Sequence, residues 1–186
     1  VLGAEKGLES VETEKEERPG LKDRLHQIKT RPLLIIFLAV LFLDQLTKRY
    51  VLYVLDRGDV VPVVPGFFNI VLTFNPGAAF GLFGGLPDAM RHFVLGFTTL
   101  LAIIFVIYFL VYEYYHDFIG QTALIMILSG AAGNIVDRIL IGEVVDFLDF
   151  YWGAYHWPAF NVADSAICIG VAIILVRRSA SARKNK

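Results

Sequence analysis

Cysteine is nearly missing from this chain. The single one, Cys168, falls inside an apolar run, so no disulfide can form within the chain and its loops must be held in other ways. A lone thiol there reads as a small packing residue rather than a nucleophile. Histidine is scarce as well. His26, His92, His116 and His156 are scattered without metal-ligand spacing, and neither a metal nor another cofactor is expected. Ser165 has no histidine close in sequence and lacks the glycines of a nucleophile elbow. The stretch Gly77-Ala-Ala-Phe-Gly81 is not a phosphate loop, because no Gly-Lys-Ser/Thr follows. Outside its two ends the chain has no concentrated basic face, which argues against nucleic acid as a partner. No internal repeat with a period of roughly 20–50 residues is present.

What the chain has in excess is apolar residues. They make up 56% of the sequence, and the mean hydropathy is +0.59. Membrane burial is the class this composition favours. Four long apolar runs cover about 33–55, 93–112, 119–141 and 159–176. Each is close to the ~20 residues that a helix needs to cross about 30 Å of hydrocarbon. Backbone polar groups in lipid must satisfy one another, so the runs are expected to be helices. The alternating segments of a membrane barrel are absent. Lys22, Arg24, Lys29 and Arg31 precede the first run, and Arg177, Arg178, Arg183, Lys184 and Lys186 follow the fourth. Both termini are therefore expected on the cytoplasmic side, with the loops at about 56–91 and 142–158 facing outward.

The expected architecture is an all-α membrane protein with four transmembrane helices, a small extracytoplasmic β-platform and a second short outer loop. Residues 1–31 form a polar, Glu-rich tail, either appended or native, which can end in a short surface helix where Leu21, Leu25 and Ile28 share a face. It does not read as a secretory signal. Residues 32–178 carry the membrane domain, and 179–186 form a basic tail. In the first outer loop the segment from Val60 to Phe74 reads as two or three short strands broken by Pro62 and by Pro65-Gly66. The second outer loop holds Tyr151, Trp152, Tyr155 and Trp157, residues suited to the headgroup zone.

Ionisable residues inside such runs are costly unless paired, hydrated or used. Asp44 and Lys48 stand one helical turn apart and can neutralise each other on an inward face. Gly130, Asn134 and Arg138 form a stripe in the third run, with Asp137 beside it, and an Asp137–Arg138 pair reads most simply as structural. Asn161, Asp164, Ser165 and Cys168 make a polar stripe on the fourth run. Asp146 lies just past the outer end of the third run, at a depth similar to that of Asp164. Two facing carboxylates can share a proton and work as acid and base on one water. Unrelated loop and helix-cap acids are the plainer alternative. Asp149 rivals Asp146, since an extended chain points the two to opposite faces and periodicity does not say which faces the site. A proton-coupled carrier with Asp44, Lys48, Asp137 and Arg138 as a relay, or a non-catalytic scaffold, would use the same residues differently.

Five segments in order resemble one family. They are Asp44-Gln-x-x-Lys48, Asn75-x-Gly77-Ala-Ala-Phe-Gly81, Gly130-x-x-Gly-Asn134-x-x-Asp137-Arg138, Val144-Val-Asp146-Phe, and Phe160-Asn161-x-Ala-Asp164-Ser. Together they resemble the bacterial lipoprotein signal peptidases (signal peptidase II), along about 33–176. The resemblance implies a metal-free aspartyl protease of the bacterial inner membrane. Such an enzyme removes signal peptides from prolipoproteins just before a diacylglyceryl-modified cysteine. It further implies Asp146 and Asp164 as the catalytic pair, in preference to Asp149. Asp44, Lys48, Asn75, Gly77, Asn134, Asp137, Arg138 and Asn161 would support the site or bind substrate. The implied partners are the lipidated signal peptide and membrane lipids, with a monomer as the working state and the site near the outer leaflet.

Overall fold

The structure, a computed structural model, describes residues 19–77, 83 and 85–184. The acidic tail up to residue 18, residues 78–81 of the glycine-rich segment and residues 185–186 of the basic end lie outside the described residues. A short helix, α1 (Leu21–Gln27), leads into α2 (Thr30–Val54). Strands β1 (Val60–Val64) and β2 (Phe68–Asn75) follow, then α3 (Asp88–Tyr112) and α4 (Phe118–Leu140). Strands β3 (Val144–Trp152) and β4 (Tyr155–His156) precede the last helix, α5 (Val162–Lys184). Local chemistry sets these bounds. Pro32 sits in the first turn of α2, where a missing N–H costs nothing. Asp117 caps α4 by accepting from the Ile119 N–H. Gly66 turns β1 into β2 at φ +81°, a conformation an L side chain resists.

Helix α4 packs against α2, α3 and α5. Small residues let the backbones close in. A Cβ on Gly130 would press on the Ala163 carbonyl, one on Gly170 on the Ala123 carbonyl, and one on Gly133 on the Asp44 carboxylate. Helix α3 is peripheral, with only Leu95 and Val106 buried. The outward faces of α2 and α3 carry Leu34, Ile35, Phe42, Phe93, Phe97 and Phe105, all exposed. That much bare apolar surface belongs in lipid. Among the described residues three helices, α2, α3 and α4, are long and apolar enough to cross a membrane. In α5 the apolar stretch is bracketed by Asp164 and by Arg177 and Arg178. At the end remote from the strands, Arg177 pairs with Asp117 and the Lys29 N–H donates to Gln121 Oε1 at 3.3 Å. Arg24 lies over the Tyr112 ring at 5.1 Å.

The fold is mostly helical but not all-α. The four strands among the described residues form one antiparallel sheet in the order β1-β2-β3-β4. The expected second outer loop is therefore not a separate loop, because its first half is β3 and pairs with β2. Asn69 lies opposite Asp149, Thr73 opposite Asp146 and Asn75 opposite Val144, with a register shift between Ile70 and Thr73. Pro62 does not end β1 as expected, although the pairing register shifts between it and Val64. It sits within that strand, which pairs on one side only and so tolerates a residue without a donor. Val51 of α2 packs with Leu72, Val145 and Phe147, fixing the sheet to the end of the helical bundle.

Candidate active site

The centre of the site is a buried lysine. Lys48 has no exposed surface, and its ammonium reaches Asp44 at 2.9 Å, Asp137 at 2.8 Å and the Asn134 side-chain oxygen at 3.0 Å. An ammonium has three N–H donors, and all three are used. Both carboxylates are equally buried and have further tasks. Asp44 Oδ1 accepts from the Ala163 N–H at 2.8 Å, near the start of α5. Asp137 Oδ2 accepts from the Val145 N–H at 3.2 Å, at the start of β3. Gln45 Nε2 adds bonds to Asp44, Asp137 and the Gly133 carbonyl. One charge cluster thus ties α2 and α4 to the two elements that carry Asp146 and Asp164.

Asn134 is fixed by Lys48, and its amide turns its Nδ2 to Asp164 Oδ1 at 2.8 Å. Asn161, also fully buried, caps α5. Its Oδ1 accepts from the Asp164 N–H at 2.9 Å, while Asp164 Oδ2 accepts from the Asn161 N–H at 3.3 Å. This reciprocal arrangement is a capping box with Asp in place of the usual Glu. The plain helix-cap reading of Asp164 is therefore correct as far as it goes. The Asn161 amide has a second function, since its Nδ2 donates to Asp146 Oδ1 at 2.7 Å. One asparagine therefore touches both acids, one on β3 and one on α5.

Asp146 is only 2% exposed. Burial pushes its carboxyl up to about 7, and the neighbouring Asp164 charge adds to the rise. Hydrogen bonds from Asn75 and Asn161 and the charge of Lys48 pull the other way without cancelling it. The sign for stability follows. Folded protein binds a proton here that the unfolded chain releases between about pH 4 and 7, so this group's contribution to stability falls as pH rises through that window.

The two acids of β3 go separate ways. Asp149 is held by Asn69 Nδ2 at 2.8 Å and by His156 Nδ1 at 2.9 Å, away from the Asn161 network. His156 stacks on Tyr151. Asp137 and Arg138 do not pair as expected, because adjacent helical residues diverge. Asp137 takes Lys48, and Arg138 donates from Nη2 to the Gly77 carbonyl at 3.0 Å. Asn75 Oδ1 accepts from the Gly77 N–H at 3.0 Å, which sets the base of the glycine-rich segment beside the acids. Cys168 leaves the polar stripe and is exposed, so it is not a packing residue. Every supporting residue expected from the sequence lies in this region. Gln45 and the Asn69–Asp149–His156 cluster are additions that no sequence pattern announces. Gln45 stands one residue past Asp44, and only its length brings it back to that face.

Residues 36–179 match the family model described as Signal peptidase (SPase) II. Among curated relatives, the lipoprotein signal peptidase of Syntrophotalea carbinolica is 45% identical over 148 residues, covering 78% of this chain and 89% of that protein. The lipoprotein signal peptidase of Cupriavidus taiwanensis is 39% identical, with 93% and 98% covered. A bacterial membrane enzyme solved by the in meso method at 2.3 Å resolution superposes with a TM-score of 0.77 at 32% identity, over 86% of this chain and 94% of that one.

Proposed function

The chain belongs to the signal peptidase II family, and from that premise we propose that Asp146 and Asp164 are the catalytic pair with which it cleaves lipoprotein precursors. One observation carries the assignment: Asn161 bonds both carboxylates, from β3 and from the first turn of α5. The two are treated as one titrating unit that holds a single proton. Asp164 accepts two N–H groups at the positive end of α5, which favours placing the charge there. Asp146 then carries the proton. Asp164 takes a proton from water as the oxygen attacks the scissile carbonyl, and Asp146 gives its proton to the carbonyl oxygen. Collapse of the diol returns a proton to Asp146, while Asp164 delivers the other to the leaving amine. Asn134 and Asn161 hold the carboxylates. Lys48, Asp44 and Asp137 hold the asparagines and both backbones. Asn75, Gly77 and Arg138 form the wall against which the peptide lies.

In this reading α5 completes a fourth crossing. The basic ends lie in the cytoplasm, the sheet rests on the outer leaflet, and the enzyme works as a monomer. The direct test is cleavage of a diacylglyceryl-modified precursor by purified Asp146→Asn and Asp164→Asn variants. Asp149→Asn is expected to cleave at close to the parent rate, since the amide oxygen still accepts from Asn69 and the group does not reach Asn161. A loss matching that of Asp146→Asn would transfer the role to Asp149. The pH profile is a further check. Cleavage is expected to fall as pH rises through about 7, where Asp146 loses the proton it must donate. A rate unchanged from about pH 6 to 9 would contradict the shared proton.

A further inference from the structure

Far from the sheet, α2, α3 and α4 leave a groove of about 410 Å³ between them. Leu34 and Phe37 of α2, Leu110 of α3 and Ile125 of α4 form its walls, and Arg31 and Thr30 line the end at the start of α2. Those two are the only polar residues in the lining. From Arg31 to Phe37 the α2 wall runs about 9 Å at helical rise. Three other cations of this region already have partners: Arg24 lies over Tyr112, Lys29 over Phe118, and Arg177 beside Asp117. Arg31 is exposed, and neither its guanidinium nor the Thr30 hydroxyl has a partner among the described residues. Between Leu21 and Arg31 four cations stand against one acid, Asp23. An apolar slot headed by a free guanidinium and a hydroxyl, in a basic stretch at the edge of the hydrocarbon, suits a phosphate with an alkyl chain behind it.

We propose that this groove is a binding site for an anionic phospholipid of the surrounding bilayer, with its phosphate on Arg31 and Thr30 and one acyl chain along Leu34 and Phe37. The lipid is a fixed neighbour of the bundle and not a substrate. It ties α2, α3 and α4 together at the end where the sheet does not reach. Two other occupants lack the match. A signal helix brings a basic segment of its own, which Arg31 repels. The Glu-rich stretch before Pro19 has the right charge but no apolar run to fill the slot. The site does not involve Asp146 or Asp164, so it stands or falls apart from the catalytic assignment.

The test is a lipid titration of the full chain in an uncharged maltoside detergent, with bound molecules counted by native mass spectrometry. The probes are a palmitoyl-oleoyl phosphatidylglycerol, the phosphatidylcholine with the same chains, and glycerol 3-phosphate. The parent is expected to bind the phosphatidylglycerol at least about fivefold more tightly than the phosphatidylcholine, and not to bind glycerol phosphate. Arg31→Gln is expected to weaken phosphatidylglycerol binding at least about fivefold, the factor that one cation contributes at a charged membrane surface. Leu34→Trp, which fills the slot and keeps Arg31, is expected to weaken binding of both lipids. Arg178→Gln, an exposed cation outside the lining, is expected to keep the parent affinity. Unchanged phosphatidylglycerol binding in Arg31→Gln, an equal loss in Arg178→Gln, or equal parent affinity for the two lipids overturns the site. Glycerol phosphate binding that Arg31→Gln abolishes and Leu34→Trp leaves intact would make it a site for free phosphate and overturn the lipid.

Discussion

Asp146→Asn is expected to lower cleavage of a diacylated precursor by about a thousandfold or more while making the folded enzyme harder to unfold at about pH 8. The loss follows from the chemistry, because an amide can neither hold nor return the proton, and acid–base groups of this kind contribute roughly 10² to 10⁴ in rate. The gain follows from burial. Above pH 7 the parent carries an ionised carboxylate that is 2% exposed and close to the Asp164 charge, whereas the substituted amide is neutral. The amide oxygen still accepts from Asn161 Nδ2. Relief of the buried charge is on the order of 1–3 kcal/mol. Asp164→Asn should lose activity equally but gain less stability, since its carboxylate also closes the cap of α5. Single-turnover cleavage and thermal unfolding in detergent read both quantities. An active Asp146→Asn enzyme, or one that is inactive and less stable in mild alkali, would break the argument.

Lys48→Met is expected to cost about 3–5 kcal/mol, a large share of the ~5–15 kcal/mol that keeps a domain folded. Methionine fits the volume, but fully buried Asp44 loses its cation, fully buried Asp137 keeps only Arg49 at 3.8 Å, and the Asn134 side-chain oxygen keeps only Asn161 as donor. Site and fold fail together because the same carboxylates hold the starts of α5 and β3. Adding Asp137→Asn to Lys48→Met should recover part of the stability by removing one stranded charge. Unfolding midpoints of the single and double variants measure this. A Lys48→Met protein with the parent midpoint would mean that the ammonium is not needed where it sits.

The sequence shows what periodicity can carry and little of what crosses from one element to another. The Asp44–Lys48 pair is one turn of one helix, and both the spacing and the inward face hold. The third partner, Asp137, comes from another helix, and no local pattern announces that bond. Proximity in sequence instead suggests Arg138 as the partner of Asp137, the nearest cation but on a diverging face. The β1–β2 turn at Gly66 is legible from Pro65-Gly66. The pairing of β2 with β3 is not, because residues 69 and 149 meet only after α3 and α4 intervene. The choice between Asp146 and Asp149 comes from motif resemblance. The hydrogen bonds add a physical reason for it, since Asn161 reaches one acid and His156 the other.

The placement of β2 and β3 on either side of the α3–α4 hairpin has a consequence for the newborn protein. Neither strand can find the other until two membrane helices have been threaded and folded back, so the loop that must close is long and its closure comes late. Asp146 cannot reach Asn161 until the final helix has also arrived. On the proposed assignment of Asp146 and Asp164, a chain caught partway through insertion has no working scissors, and hydrolysis switches on only when the last piece docks.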